Sequence, residues 1–174
     1  MGDRYMVVGN PIEHSKSPQI HTLFAEQTGE ELSYTKLKVE HGTFVTVVNQ
    51  FQQAGGRGLN VTVPYKHEAW EAADERSPRA ELAGAVNTIE LREDGSRFGD
   101  NTDGVGLLQD LTKNNHLDIK EKKVLVLGAG GVVRGVLEPL LAERPLQLTI
   151  ANRTAARAEA LAELFAEYGN IDGG

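Results

Sequence analysis

Short apolar runs alternate with helical patterns along the whole chain, and that alternation restricts the fold more than any other feature. Tyr5-Met6-Val7-Val8 reads as a strand that ends in Gly9-Asn10-Pro11. Ser17-Pro18 then opens a helix, with Ser17 as N-cap and Pro18 in the first position. Ile20, Leu23 and Phe24 form its apolar face, and Gly29 stops it. Leu32–Val39 reads as a second strand. Phe44, Val47, Val48 and Phe51 mark a second helix closed by Gly55-Gly56, and Leu59–Val63 follows as a third strand. A short helix over Lys66–Asp74 and another from Ser77-Pro78 to Ala83 precede a hairpin. Its arms are Ala85–Leu91 and Arg97–Gly99, turned at Glu93-Asp94-Gly95-Ser96.

The second half repeats the pattern. Thr102 begins a helix with Val105, Leu107, Leu108 and Leu111 among its apolar positions. After the polar link Asn114–Lys123, Val124-Leu125-Val126-Leu127 is a continuous apolar run, fit for a strand buried on both faces. Val132–Arg144 reads as a helix bent at Pro139, Leu146–Ala151 as a strand, and Ala155–Tyr168 as a helix ended by Gly169. The spacing predicts α/β architecture with mainly parallel sheets. A boundary near Asn101 divides it into one domain over residues 1–101 and another over residues 102–174, joined by the Thr102 helix.

Composition removes several classes of function. The 174 residues carry 18 Lys and Arg against 25 Asp and Glu, a net charge of −7, which argues against nucleic acid as the main partner. Cysteine is absent, so disulfides, thiolate zinc sites and cysteine nucleophiles are excluded. His14, His21, His41, His67 and His116 show no metal-ligand spacing, and no metal is expected. The apolar runs are strand-sized, far short of the roughly 20 residues that cross a bilayer, and Met1–Asn10 does not resemble a signal peptide. A cytoplasmic protein is the expectation.

Gly128-Ala129-Gly130-Gly131-Val132-Val133-Arg134-Gly135 follows the apolar strand directly and opens a helix. Glycines there permit a tight turn and let backbone N–H groups approach a pyrophosphate, which the helix N-terminus also attracts. The strict dinucleotide fingerprint asks for Gly or Ala at position 133, where this chain has Val, and tight packing is the alternative reading of such a loop. NAD-binding folds place an acid at the end of the next strand, to accept from the ribose 2′-hydroxyl. Here that strand ends in Asn152-Arg153-Thr154, and Arg157 follows. Arg153 and Arg157 form either a solvated helix start or a fork for a 2′-phosphate. Cations at a helix N-terminus oppose its dipole, and a bound anion would relieve the conflict, so NADP is favoured over NAD.

Four polar motifs crowd the first hundred residues, each at a strand end or a helix start. They are His14-Ser15-Lys16-Ser17, Asn60-Val61-Thr62-Val63-Pro64-Tyr65-Lys66, Ala85-Val86-Asn87-Thr88 and Gly99-Asp100-Asn101-Thr102-Asp103-Gly104. Ligands of open α/β sheets sit beyond the carboxyl ends of strands, and the hydroxyls, amides, ammonium and carboxylate of these motifs suit a small polyhydroxylated acid. Asn60 and Thr62 share a strand face. Structural alternatives exist for each: a helix cap for Ser17, satisfied strand residues for Asn60 and Thr62, a turn for Asn87 and a cap for Asp103. Lys66, at a strand end, pairs in principle with an Asp for proton transfer.

On these four motifs and their order, the chain resembles the shikimate dehydrogenase family from Tyr5 to Gly169. The resemblance implies reversible, NADPH-dependent reduction of 3-dehydroshikimate to shikimate, in aromatic amino-acid biosynthesis. It implies that Ser15 and Ser17 hold the substrate carboxylate. Asn60, Thr62, Asn87 and Asp103 would bind ring hydroxyls, with Lys66 and Asp103 as the catalytic pair. Gly128, Ala129, Gly130, Gly131 and Val132 would line the pyrophosphate, and Asn152, Arg153, Thr154 and Arg157 the adenosine 2′-phosphate. A substrate domain followed by the first half of a Rossmann-type domain is the fold implied, with two of its strands present. In the family that domain continues with further strands, and a helix carrying a substrate-binding Gln returns to the first domain. The expectation is therefore a piece of the enzyme. Alternatives are a fragment that binds shikimate without turnover, a relative accepting quinate and NAD, and a purely structural module. The partners implied are small molecules only, with a homodimer as a further expectation.

Overall fold

The computed structural model describes residues 2–174, and they fall into two compact units. One comprises residues up to Glu81 with Ala85–Asp100, the other Leu82–Gly84 with Asn101–Gly174.

The first unit is built on a six-stranded sheet. Its strands are β1 (Asp3–Gly9), β2 (Leu32–Lys38), β3 (Gly56–Val61), β4 (Glu75–Arg76), β5 (Thr88–Leu91) and β6 (Arg97–Asp100), in the order β2-β1-β3-β5-β6-β4. The pairs β1–β2, β1–β3 and β4–β6 are parallel, whereas β5 runs antiparallel to both its neighbours. Between strands lie α1 (Ser17–Thr28), α2 (Phe44–Gln53), α3 (Lys66–Ala72) and α4 (Pro78–Ala83). Period-two alternation sorts the side chains. Met6, Val8, Leu59, Val61, Ile89 and Leu91 enter the core with Phe44 and Val48 of α2 and Ala69 of α3. Residues of opposite parity, including Tyr34 and Asn60, are half-buried.

Local chemistry fixes several element ends. Gly29 adopts a left-handed conformation (φ 74°) and closes α1 through its N–H to the Ala25 carbonyl. Ser77 Oγ accepts the Ala80 N–H at 3.1 Å, an N-cap for α4 of the kind that contributes about 1 kcal/mol. The helix α1 differs from expectation in two respects. It starts at Ser17 with Lys16 in the cap position and no side-chain cap bond, because Ser15 Oγ instead accepts the Ser17 N–H at 3.3 Å. Its expected apolar face is uncovered: Ile20, Leu23 and Phe24 are 43%, 57% and 54% exposed, and only Ala25 is buried.

In the second unit α5 (Asp103–Gln109) continues into a π-helical turn, Asp110–Asn114. A parallel sheet follows, β7 (Lys123–Leu127), β8 (Gln147–Ala151) and β9 (Ile171–Gly173), paired in that order and connected by α6 (Gly131–Ala142) and α7 (Ala155–Phe165). This is a βαβαβ mononucleotide-binding half with three strands, not the two expected, since Ile171–Gly173 pairs with Leu148–Ile150. The strand β7 is not buried on both faces. Val124 and Val126 pack on the core formed by Leu137, Leu140, Leu148, Ile150 and Phe165, while Leu125 and Leu127 are 62% and 76% exposed. As an edge strand with helices over one face, β7 covers only alternate side chains.

Candidate functional site

Strand directions gather the polar motifs of the first unit at one edge of its sheet. The carboxyl ends of β1, β3 and β6 and the amino end of β5 all lie there, because β5 alone among these runs in reverse. Backbone bonds then lace the motifs together. Asn10 N–H donates to the Val63 carbonyl at 3.0 Å, Val61 N–H to Asn87 O at 2.8 Å, and Val86 N–H to Lys66 O at 2.9 Å. Asn87 N–H in turn reaches Asp100 O at 3.0 Å.

Lys66 is the first residue of α3, and the residue before it anchors that start. The buried Tyr65 ring stacks on Phe44 at 5.5 Å and its hydroxyl donates to Val39 O at 2.6 Å. Tyr65 N–H also returns to Thr62 O at 3.1 Å, so Thr62, Tyr65 and Lys66 are set by one tight connection. The loop before α1 is tied by Asn10 Nδ2 to Val39 O at 3.0 Å, and Ser15 Oγ lies 3.2 Å from Ser17 Oγ. Both serines are half-buried. Within this loop the Glu13 carboxyl is held below the usual range by its own backbone N–H and that of Ile12.

Asn60 sits in a side-chain network. Tyr34 OH donates to Asn60 Oδ1 at 2.5 Å, Asn60 Nδ2 to Thr88 Oγ1 at 3.2 Å, and Thr88 Oγ1 to Asn87 Oδ1 at 2.9 Å. Asn60 and Thr88 face each other directly across β3 and β5. The Tyr34 ring lies flat on His21, 4.1 Å between centroids and 3° between planes. Burial pushes the Tyr34 hydroxyl well above its ordinary value and lowers that of His21. Tyr34, His21, Asn60 and Thr88 line a cavity of about 650 Å³ on this face of the sheet.

A larger groove, about 910 Å³, lies toward the amino-terminal ends of β1 and β3 and contains none of the motif residues. Its arginines are committed to the protein. Arg4 donates to Ala54 O, Arg57 pairs with Asp3 and Glu93, Arg92 with Glu75 and Glu90, and Arg97 reaches Gln52 and Asn49.

Asp103 belongs to the second unit, in the first turn of α5. Its N–H donates to Asn101 Oδ1 at 3.1 Å, so Asn101, buried at 3% exposure, serves the helix start. The glycine loop joins β7 to α6. Gly128 takes φ 109°, and its N–H bonds Ala151 O at 2.7 Å. Nothing lies within 4 Å of the space a β-carbon would fill at Gly128, Gly130 or Gly131, which leaves an open cradle against the amino end of α6. Val132 is 56% exposed, and Ala129 packs on the core. Across the sheet, Asn152 Nδ2 donates to Thr154 O at 2.9 Å, closing the turn into α7, and Arg153, Thr154 and Arg157 are exposed there. No acid stands at the end of β8, so the donor set suits a phosphate rather than a ribose hydroxyl.

Sequence reasoning missed Tyr34, Thr88 as a network member, and Arg134. Arg134 Nε donates to Leu82 O at 2.7 Å, fastening the Leu82–Gly84 segment to the first turns of α6. Only the arginine's place beside the glycine loop hinted at such a role. Among the described residues no group of three His, Asp or Glu is placed to hold a metal ion, and no helix is long and apolar enough to cross a membrane.

Comparison with known proteins bears on both units. Residues 7–89 match the family described as Shikimate dehydrogenase substrate binding domain, and residues 110–172 that described as Shikimate / quinate 5-dehydrogenase. The shikimate dehydrogenase (NADP(+)) of Alkalilimnicola ehrlichii is 57% identical over 171 residues, covering 98% of this chain and 63% of that protein. Among solved structures, an Ael1 enzyme from Pseudomonas putida superposes with a TM-score of 0.92 at 44% identity, over 98% of this chain and 63% of the other. Shikimate 5-dehydrogenase from Thermus thermophilus, in complex with NADP(H) and shikimate, gives 0.85 at 37% identity, over 97% and 62%. The chain thus spans about 63% of the length of the relatives it matches.

Proposed function

The chain belongs to the shikimate dehydrogenase family, and we propose that the enzyme of which it forms part catalyses the reversible NADPH-dependent reduction of 3-dehydroshikimate to shikimate. The observation that carries this reading is the lacing of three motifs at one sheet edge. Asn87 O accepts from Val61 N–H, Lys66 O accepts from Val86 N–H, and Asn87 N–H donates to Asp100 O, which ties the backbones of the motifs that carry Asn60, Lys66, Asn87 and Asp100 together. We assign residues 1–101 to substrate binding and residues 102–174 to part of the NADP-binding domain.

In this reading Ser15 and Ser17 bind the substrate carboxylate through their hydroxyls. Asn60, Thr62, Asn87 and Asp103 orient the ring hydroxyls. Gly128, Ala129, Gly130, Gly131 and Val132 hold the cofactor pyrophosphate, and Asn152, Arg153, Thr154 and Arg157 its 2′-phosphate. When bound, NADPH supplies a hydride to the substrate carbonyl carbon. The Lys66 ammonium stabilises the charge that grows on the carbonyl oxygen and gives that oxygen a proton. Asp103 keeps the ammonium charged and aimed. In the oxidative direction the same pair accepts the proton.

The test is NADPH oxidation dependent on 3-dehydroshikimate by the full-length enzyme that carries this chain. Lys66→Ala is expected to abolish it while leaving the thermal midpoint unchanged; activity retained in that variant overturns the assignment. A second reading concerns the 174-residue chain taken alone, as a module that binds shikimate without turnover. The chain's span of 63% of the length of the Alkalilimnicola ehrlichii relative favours it, and titration calorimetry with shikimate separates it from the first. A relative using quinate and NAD is disfavoured by Arg153 and Arg157. Both ligands are small and water-soluble, which suits a cytoplasmic enzyme, and a homodimer is the assembly proposed.

A further inference from the structure

We propose that Tyr34 is a positioning residue for the substrate site: its hydroxyl heads a one-way hydrogen-bond chain that sets the orientation of both the Asn60 and the Asn87 carboxamides. This rests on the reading above, in which those two asparagines meet the substrate. A carboxamide has a donor end and an acceptor end of almost equal shape, so its orientation is decided by its partners. At Asn60 both ends are taken up by the protein. The Tyr34 hydroxyl gives its proton to Oδ1 at 2.5 Å, and Nδ2 donates to Thr88 Oγ1 at 3.2 Å. Thr88 has one hydroxyl proton, and with Asn60 donating to its oxygen that proton goes on to Asn87 Oδ1 at 2.9 Å. Donors therefore point one way from Tyr34 through Asn60 and Thr88 to Asn87. The carboxamide of Asn87 is turned with its oxygen toward Thr88 and its amino group directed away.

The head of the chain is built to donate. Tyr34 extends from β2 to Asn60 on β3, with β1 lying between those strands. Its ring is fixed by the flat stack on His21 of α1, 4.1 Å away. A phenol is already protonated throughout the physiological range, and burial moves this hydroxyl's pKa further above it. Without that hydroxyl the Asn60 oxygen loses its donor, and only the Nδ2 contacts, to Thr88 Oγ1 at 3.2 Å and to Asn87 O at 3.4 Å, still hold the carboxamide, which loosens the direction passed to Thr88 and then to Asn87. Tyr34 and Thr88 thus act through the asparagines and not on the substrate.

In the full-length enzyme Tyr34→Phe keeps the ring on His21 and removes only the head of the chain. It is expected to raise KM for shikimate about 5- to 10-fold, leaving kcat and KM for NADP within about two-fold. Thr88→Val cuts the chain at another link and gives the same signature, whereas Thr88→Ser, which retains a hydroxyl, restores the parent KM. The double variant Tyr34→Phe/Thr88→Val raises KM no further than the larger single change, because one chain cannot be broken twice. Unchanged KM in both single variants, or effects that multiply in the double, overturns the proposal. A readout independent of turnover is exchange of the side-chain amide protons by NMR. In Tyr34→Phe both Asn60 and Asn87 amides exchange faster; acceleration at neither, or at Asn60 alone, also overturns it. A parent enzyme inactive on 3-dehydroshikimate would remove the functional reading instead, with the exchange result still deciding the chain.

Discussion

Gly104 in α5 lies so close to Gly135 in α6 that a β-carbon on it would sit 2.4 Å from the Gly135 carbonyl oxygen. The same β-carbon would meet Pro139 Cγ at 2.8 Å and Val136 Cα at 3.2 Å. The residue four positions on from Gly135 is Pro139, which has no N–H to give that carbonyl. The proline also lies against the surface that α5 approaches. Neither backbone can yield without parting the helices.

Gly104→Ala is accordingly expected to destabilise the second unit by about 1–3 kcal/mol, the usual range for overpacking. Gly106→Ala, in the same helix, meets nothing within 4 Å. It should be neutral or stabilising by up to about 1 kcal/mol, since Ala favours a helix over Gly. Urea denaturation of the two variants beside the parent distinguishes a steric cause from a general intolerance of α5.

Arg79 and Asp100 offer a test in the first unit. Arg79 grips the Asp100 carboxylate with two nitrogens, Nε at 2.7 Å and Nη2, while Ser77 Oγ adds a third bond at 2.5 Å. The Asp100 side chain is only 17% exposed, but Arg79 is 37% exposed, so solvent screening discounts the pair. Arg79→Ala is expected to cost about 1–2 kcal/mol, and Asp100→Asn a similar amount. Because they share one interaction, the double variant should cost clearly less than the sum in a chemical-denaturation cycle.

How far these elements could be read from sequence follows their length and what covers them. The helix α2 and the strand β1 announce themselves by periodicity, and Gly29 and Ser77 mark ends through local bonds. By contrast β4 is two residues, Glu75–Arg76, and β9 three, Ile171–Gly173, too short to carry a period; their partners lie far along the chain. Leu125 and Phe24 show a different limit. An apolar pattern reports which face a strand or helix would bury, not whether anything lies over that face. At the candidate site, Asn60 and Asn87 stand out as polar residues at strand ends. Tyr34 reads as an ordinary strand former, since its link to Asn60 crosses β1 and exists only once the sheet is assembled.

The exposed arginines after β8 bear on cofactor choice. Arg153→Ala and Arg157→Ala are each expected to raise KM for NADPH by about 10-fold in the full-length enzyme, leaving activity with NADH little changed. The effect should shrink as ionic strength rises, because both side chains are solvent-exposed. Steady-state kinetics with both cofactors at two salt concentrations checks this, and equal losses with NADPH and NADH would remove the assignment of these residues to the 2′-phosphate.

His21 gives the first unit a pH-dependent contribution whose sign is fixed by burial. Desolvation against Tyr34 lowers the folded-state pKa below the ordinary histidine value of about 6.5. Between those two values the unfolded chain binds the proton and the folded chain does not, so stability rises with pH across that window. Above about 6.5 both states are neutral at this residue and the contribution is fully present; as pH falls through the folded pKa it is lost. His21→Phe keeps a ring for the Tyr34 stack but cannot take a proton. The variant is expected to show a flatter dependence of unfolding midpoint on pH below about 6.5 than the parent, with the two running parallel above it. Parallel curves below that value as well would mean that the stack tolerates a charged imidazole.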